Sequence, residues 1–168
     1  VVPIDLLSIM MNSSNLKEFN WMIRSYVNNS SYIIDVADGS RAYSYEWTHS
    51  AIVQRSPATA GLLVATNNFV SSGFHQKRTV KPVNSTSDER RAHLIKLAKA
   101  KKDLMTAERM QEILAVPFAK AGATFKKIGP HGLYTGFQVV ADPSKQLMWV
   151  HKMGDSDWIK LNLKQYYT

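Results

Sequence analysis

The pair Asp38-Gly39 lies inside "SSYIIDVADGSRAYSYEW", between two runs that alternate like strands. Asp-Gly suits a tight turn whose residues need positive φ, so the stretch reads as a β-hairpin. A link this short joins only antiparallel neighbours, since a parallel pair needs a long crossover. On the second arm Tyr43, Tyr45 and Trp47 fall on one face. A second hairpin is predicted in "YTGFQVVADPSKQLMWVHK", where Asp142-Pro143 supplies Asp and Pro in the order a turn favours. "WIKLNL" sets Ile159, Leu161 and Leu163 against Lys160, Asn162 and Lys164. "SAIVQRS" and "GLLVAT" read as further strands, separated by the turn-prone "SPATAG".

Helical spacing appears elsewhere. "NLKEFNWMIRSYV" puts Leu16, Phe19, Ile23, Tyr26 and Val27 on one face, with Asn15 and Glu18 as a cap. A short helix over Ile4–Met11 is predicted before it. Ser71–Asp88 is polar and punctuated by Gly and Pro, and reads as a long loop. Helices are predicted at Glu89–Lys102, with Leu94, Leu97 and Ala98 inward, and at Ala107–Val116, capped by Thr106 and ended before Pro117. Helices, antiparallel strands, helices and strands in that order indicate an α+β class. A length of 168 residues with no repeats suits a single domain over 1–168.

Charge narrows the function classes. Net charge is +8, and the window 76–102 holds Lys77, Arg78, Lys81, Arg90, Arg91, Lys96, Lys99, Lys101 and Lys102 against Asp88 and Glu89. Such a face could bind nucleic acid or anionic surfaces as a non-catalytic basic module. No aromatics interleave the charges as a stacking platform requires, so a solvated helix face is favoured and nucleic acid is disfavoured as a partner. The chain has no Cys, which excludes a disulfide, a thiolate metal site or a Cys nucleophile within it. No apolar run reaches the roughly 20 residues of a membrane helix. "VVPIDLLSIMM" lacks the basic leader of a signal peptide and reads as a start in mid-domain.

Phosphate-loop, dinucleotide and G-x-S-x-G motifs are missing, and the His residues at 49, 75, 93, 131 and 151 show no paired metal spacing. The short Asn-x-Ser/Thr matches at Asn12, Asn28, Asn29 and Asn84 carry little weight in such Asn/Ser-rich text. The feature left over is "GLLVATNNFVSS". An apolar run, Leu62 to Ala65, stops on Thr66-Asn67-Asn68 and continues into Phe69 and Val70. Side-by-side amides can simply close a strand by bonding nearby backbone. A carboxamide N–H at a rigid position can also stabilise a developing oxyanion. On chemistry alone the simpler role is preferred.

The order of segments alters that balance. Asp35, Asp38, Gly39 and Glu46 of the first hairpin come first. Then come the run ending in Thr66-Asn67, the Ser87 to Arg90 segment opening a helix, and the late Thr with its Asp142-Pro143 hairpin. Together these resemble the C-terminal part of the choloylglycine hydrolases and the related acyl-coenzyme A:6-aminopenicillanic acid acyltransferases. Both are N-terminal-nucleophile hydrolases. The resemblance runs from about Pro3 to Leu163 and implies an αββα sandwich of antiparallel sheets flanked by helices, incomplete in this chain. It implies hydrolysis or acyl transfer at a linear non-peptide amide: a conjugated bile salt, penicillin V or an N-acyl amine. It matches Asn67 to the oxyanion-hole asparagine and Arg90 to the active-site arginine, with Arg91 one register away. Asn68 and Phe69 would border the substrate.

The family's nucleophile is an N-terminal Cys, and this chain begins with Val1. The chain alone is therefore expected to be inactive by that route. The expectation is a fragment or processed piece of a longer product, with the Cys upstream or on a companion chain. The partners implied are a small-molecule amide and that companion chain; a homo-oligomer is left open. No metal or organic cofactor is implied.

Overall fold

The computed structural model describes residues 2–26, 30–57, 61–75, 86–100, 105–126, 132, 134–155 and 157–166, with backbone alone for 2–5 and 75. The class is α+β, with two antiparallel three-stranded sheets and a few helices. The chain divides into two compact units, Val1–Lys81 and Pro82–Thr168.

The first unit opens with helices α1 (Val2–Met11) and α2 (Leu16–Ser25). Asn15 caps α2, its Oδ1 accepting the backbone N–H of Lys17 and Glu18 at 3.0 Å each. Glu18 reaches back and accepts the N–H of Ser14 at 2.8 Å, completing a reciprocal cap. Of the face predicted from spacing, Leu16, Phe19 and Ile23 are buried, whereas Tyr26 stands just past the helix end in extended backbone and is 37% exposed. Val27 lies outside the described residues.

That helix face covers a sheet of β1 (Tyr32–Ala37), β2 (Ala42–Trp47) and β3 (Ile52–Arg55), in that order. The Asp38-Gly39 hairpin forms as predicted, closed by Ala37 opposite Ala42. Asp38 Oδ1 accepts the N–H of Ser40 and Arg41 at 2.8 Å each. These bonds, that of Ser40 first, hold its carboxyl below the usual range. Residues directly opposite on antiparallel strands share a face. Tyr32, Trp47 and Ile52 therefore line up on one side with Ile34 and Tyr45. With Ile9, Phe19 and Ile23 they build the core, in which the Phe19 and Tyr45 rings stand 5.6 Å apart.

One prediction fails here. Leu62–Thr66 is not a strand, although its apolar side chains are half-buried. The apolar run reflects burial without a ladder, and the Arg55 side chain of β3 reaches its backbone at the Val64 carbonyl. The predicted loop after Ser71 opens with a short helix, α3 (Ser72–His75). The middle of the turn at 58–60 and the loop residues 76–85 lie outside the described residues.

The second unit contains α4 (Ser87–Lys99), α5 (Ala107–Ala115), and a sheet of β4 (Phe137–Asp142), β5 (Leu147–Lys152) and β6 (Ile159–Asn162). Helix α4 starts two residues earlier than predicted, and Leu94, Leu97 and Ala98 are half-buried. Thr106 caps α5, accepting the N–H of Arg109 at 3.2 Å. The tight turn 117–124 follows, joined by Phe118 N–H to Thr124 O at 2.7 Å. A Cβ on Gly122 would collide with the Val116 carbonyl, so the turn needs glycine there.

The Asp142-Pro143 hairpin forms, with Asp142 opposite Leu147. One face of β4 buries Gln138 and Val140 against α5. Gln138 Nε2 donates to Leu114 O at 2.7 Å and to Thr124 Oγ1 at 2.8 Å. The other face aligns Phe137, Val139 and Ala141 with Met148 and Val150, and these with Leu161 and Ile159. It is largely uncovered: Phe137 is 68% exposed, Val139 53% and Ile159 62%. The alternation in "WIKLNL" sorts its residues onto two faces without burying either in β6.

Candidate functional site

The Asn67-Asn68 segment belongs to the first unit, and its two amides differ. Asn67 is exposed, whereas Asn68 is 7% exposed. Phe69 packs on Phe74 of α3, ring centroids 5.1 Å apart. The paired amides therefore do not act as one motif. One faces solvent and the other faces protein.

The segment is held by a charged pair on the sheet face opposite the helices. Glu46, in the middle strand, is fully buried at 0% exposure. Charged side chains are almost never so buried without partners. Its Oε1 accepts the N–H of Val70 at 2.8 Å, and its Oε2 accepts that of Ser71 at 2.9 Å. Arg55 Nη1 stands 3.4 Å from Glu46 Oε1. Arg55 Nη2 donates to Val64 O at 3.0 Å. The pair thus grips the chain on both sides of Thr66–Phe69. This replaces the missing strand ladder and answers why an apolar run ends on two amides here. The run is a strap tied to the sheet, and the amides sit between its ties.

Glu46 was legible in the sequence only as part of the hairpin. Its position beside Ser44 in an alternating strand looks like a solvated face. The signal available was the apolar run that follows, which needs a surface to lie on.

Arg90 lies in the second unit, in the first turns of α4, and is half-buried. Burial pushes its guanidinium below the ordinary value. Arg91 is half-buried as well. The sequence proposes Asn67 and Arg90 for one site; the structure describes each within its own unit. Of the basic window, Arg90, Arg91, Lys96 and Lys99 are described, while Lys77, Arg78, Lys81, Lys101 and Lys102 lie outside the described residues. Among the described residues no group of three or more His, Asp or Glu is placed to hold a metal ion. His131 lies outside them. None of their helices is long and apolar enough to cross a membrane.

His151 has both ring nitrogens near oxygens, Nδ1 3.2 Å from Gln138 Oε1 and Nε2 3.1 Å from Asp155 O. With Gln138 already bound to Leu114 and Thr124, this is a structural tie between β4, β5 and the turn after it.

No known family model matches the sequence, and a comparison with curated proteins finds no match.

Proposed function

We propose that this chain is the C-terminal portion of an N-terminal-nucleophile hydrolase or acyltransferase acting on linear non-peptide amides. The fold in that reading is an αββα sandwich, to which the two antiparallel sheets would belong. The observation that carries it is the exposed carboxamide of Asn67, on a strap secured from both sides by Glu46 and Arg55. An oxyanion donor must be fixed before the reaction to stabilise the charge that develops.

In this reading a Cys outside the chain attacks the amide carbonyl carbon, and its thiolate sulfur forms a new bond there. The carbonyl oxygen becomes an oxyanion, to which Asn67 donates an N–H. The C–N bond breaks, the amine leaves with the proton that the thiol had given to the α-amine of that Cys, and an acyl-enzyme remains for water or an acceptor amine. Arg90, or Arg91 beside it, supplies a fixed cation near the nucleophile, which favours a thiolate. Asn68 and Phe69, the next residues of the strap, would border the substrate in this reading, Asn68 from a buried position and Phe69 from a half-buried one.

The test uses protein from its native source. Intact mass and N-terminal sequencing of every polypeptide should reveal a longer chain or a companion beginning with Cys. Asn67→Ala in that complete protein should lower kcat on conjugated bile salts, penicillin V or N-acyl amines about 100-fold, the loss of roughly 3 kcal/mol from one oxyanion donor. A preparation with no Cys-initiated polypeptide, or a variant with unchanged turnover, removes the reading.

A further inference from the structure

Glu46 and Arg55 lie outside the residues that touch substrate in the proposed reaction, yet their geometry is directed at that segment. A buried ion pair is a poor way to gain stability, because desolvation offsets most of its attraction and apolar residues of similar size do as well. A pair in this position calls for a task that apolar residues cannot perform. Here that task is hydrogen bonding to backbone outside the ladder: Leu62–Ala65 is not a strand, and buried peptide groups need a hydrogen-bond partner.

The bonds are placed on both flanks of the amides. Upstream, the Val64 carbonyl is taken by Arg55 Nη2. Downstream, the Val70 and Ser71 N–H groups are taken by the separate oxygens of Glu46. Among the described residues the buried hydroxyls of Ser44 and Ser71 have no hydrogen-bond partner, so they do not share this work. Both gripping side chains project from adjacent strands, with Glu46 opposite Val53 and Arg55 opposite Ser44. The sheet therefore ties the chain down on both sides of Thr66–Phe69.

We infer that Glu46 and Arg55 are positioning residues, which fix the exposed carboxamide of Asn67 by tethering the strap on both sides of it. What Asn67 does there rests on the reading under Proposed function; the tether itself does not.

The experiment has two arms on the complete protein. In the first, hydrogen exchange is measured residue by residue in Glu46→Gln, which keeps one acceptor oxygen and loses the charge and the second acceptor. Exchange at Val70 or Ser71 should rise about tenfold or more, as expected for the loss of a charge-assisted bond, while the β1–β2 ladder stays protected. Unchanged exchange at both amides overturns the tether. If Glu46→Gln does not fold, Glu46→Asp keeps the charge but shortens the reach, and the same two amides are read.

In the second arm kcat and KM are measured for Glu46→Gln alone and combined with Asn67→Ala. A positioning role lowers kcat about tenfold at little change in KM and adds nothing once Asn67 is Ala. Equal losses on both backgrounds reduce Glu46 to a general support and overturn the inference. If Asn67→Ala is itself harmless, the hydrolase reading falls, and the exchange arm alone decides the tether.

Discussion

The two sheets have the same strand order and opposite surroundings. In the first, both faces of β2 are covered: Tyr45 and Trp47 by the helices, Ser44 and Glu46 on the side where the strap is tied. In the second, α5 covers Gln138 and Val140, while Phe137, Val139 and Ile159 on the reverse face remain open. Alternating patterns in the sequence say which residues share a face. They do not say whether anything lies on it. Glu46 looks solvated and is buried. Val139 looks buried and is exposed.

The largest effect should come from a matched pair of truncations. Ile34→Ala removes a core residue under α2 and should cost about 3 kcal/mol. Ile159→Ala, on the open face, should change stability by less than about 0.5 kcal/mol. Denaturant melts monitored separately in each unit test this. Similar losses at both positions would erase the contrast.

Next in size is Gly122→Ala. The added methyl meets the Val116 carbonyl, a backbone atom that cannot turn aside. A loss of about 2 kcal/mol is expected. It should appear in the second unit only, which thermal unfolding followed by Tyr134 and Trp149 resonances would show. A loss in the first unit would mean the units do not respond separately.

The smallest effect concerns the second hairpin. The Ser144 hydroxyl, at 2.6 Å, and then Lys145 lower the Asp142 carboxyl to about 2. A depressed carboxyl stabilises the folded state above its ordinary range. That contribution fades as pH falls through about 2. An NMR titration of Asp142 should show a midpoint near that value, and Ser144→Ala should raise it. A midpoint in the usual range in the native protein would show that the turn does not hold the carboxylate.

Much of this architecture was legible in the sequence. Both hairpins, the Asn15 cap and the buried Leu16-Phe19-Ile23 face follow from local chemistry, and local chemistry is written in neighbouring residues. Helix α5 ended at Ala115, one residue short of the predicted Val116 and before Pro117 as expected. The strap was not legible, because its bonds join residues 24 and 25 positions apart. An apolar run reads as a strand whether its partner is a ladder or two side chains. Asn67 stood out on the page, but the difference between its exposure and the burial of Asn68 depends on that distant tether.

The strap also sets an order of events in time. Each sheet is a meander of consecutive strands, so nearly all its pairing is local and can form early. Tying Val70 and Ser71 to Glu46 must wait until β2 and β3 exist, since only then do Glu46 and Arg55 stand together. The strap is therefore the late-closing part of its unit. Changes at Glu46 should speed unfolding while leaving the folding rate nearly untouched, the behaviour of contacts made after the rate-limiting barrier. The residue that secures Asn67 is then also the one that governs how long the finished unit lasts once made.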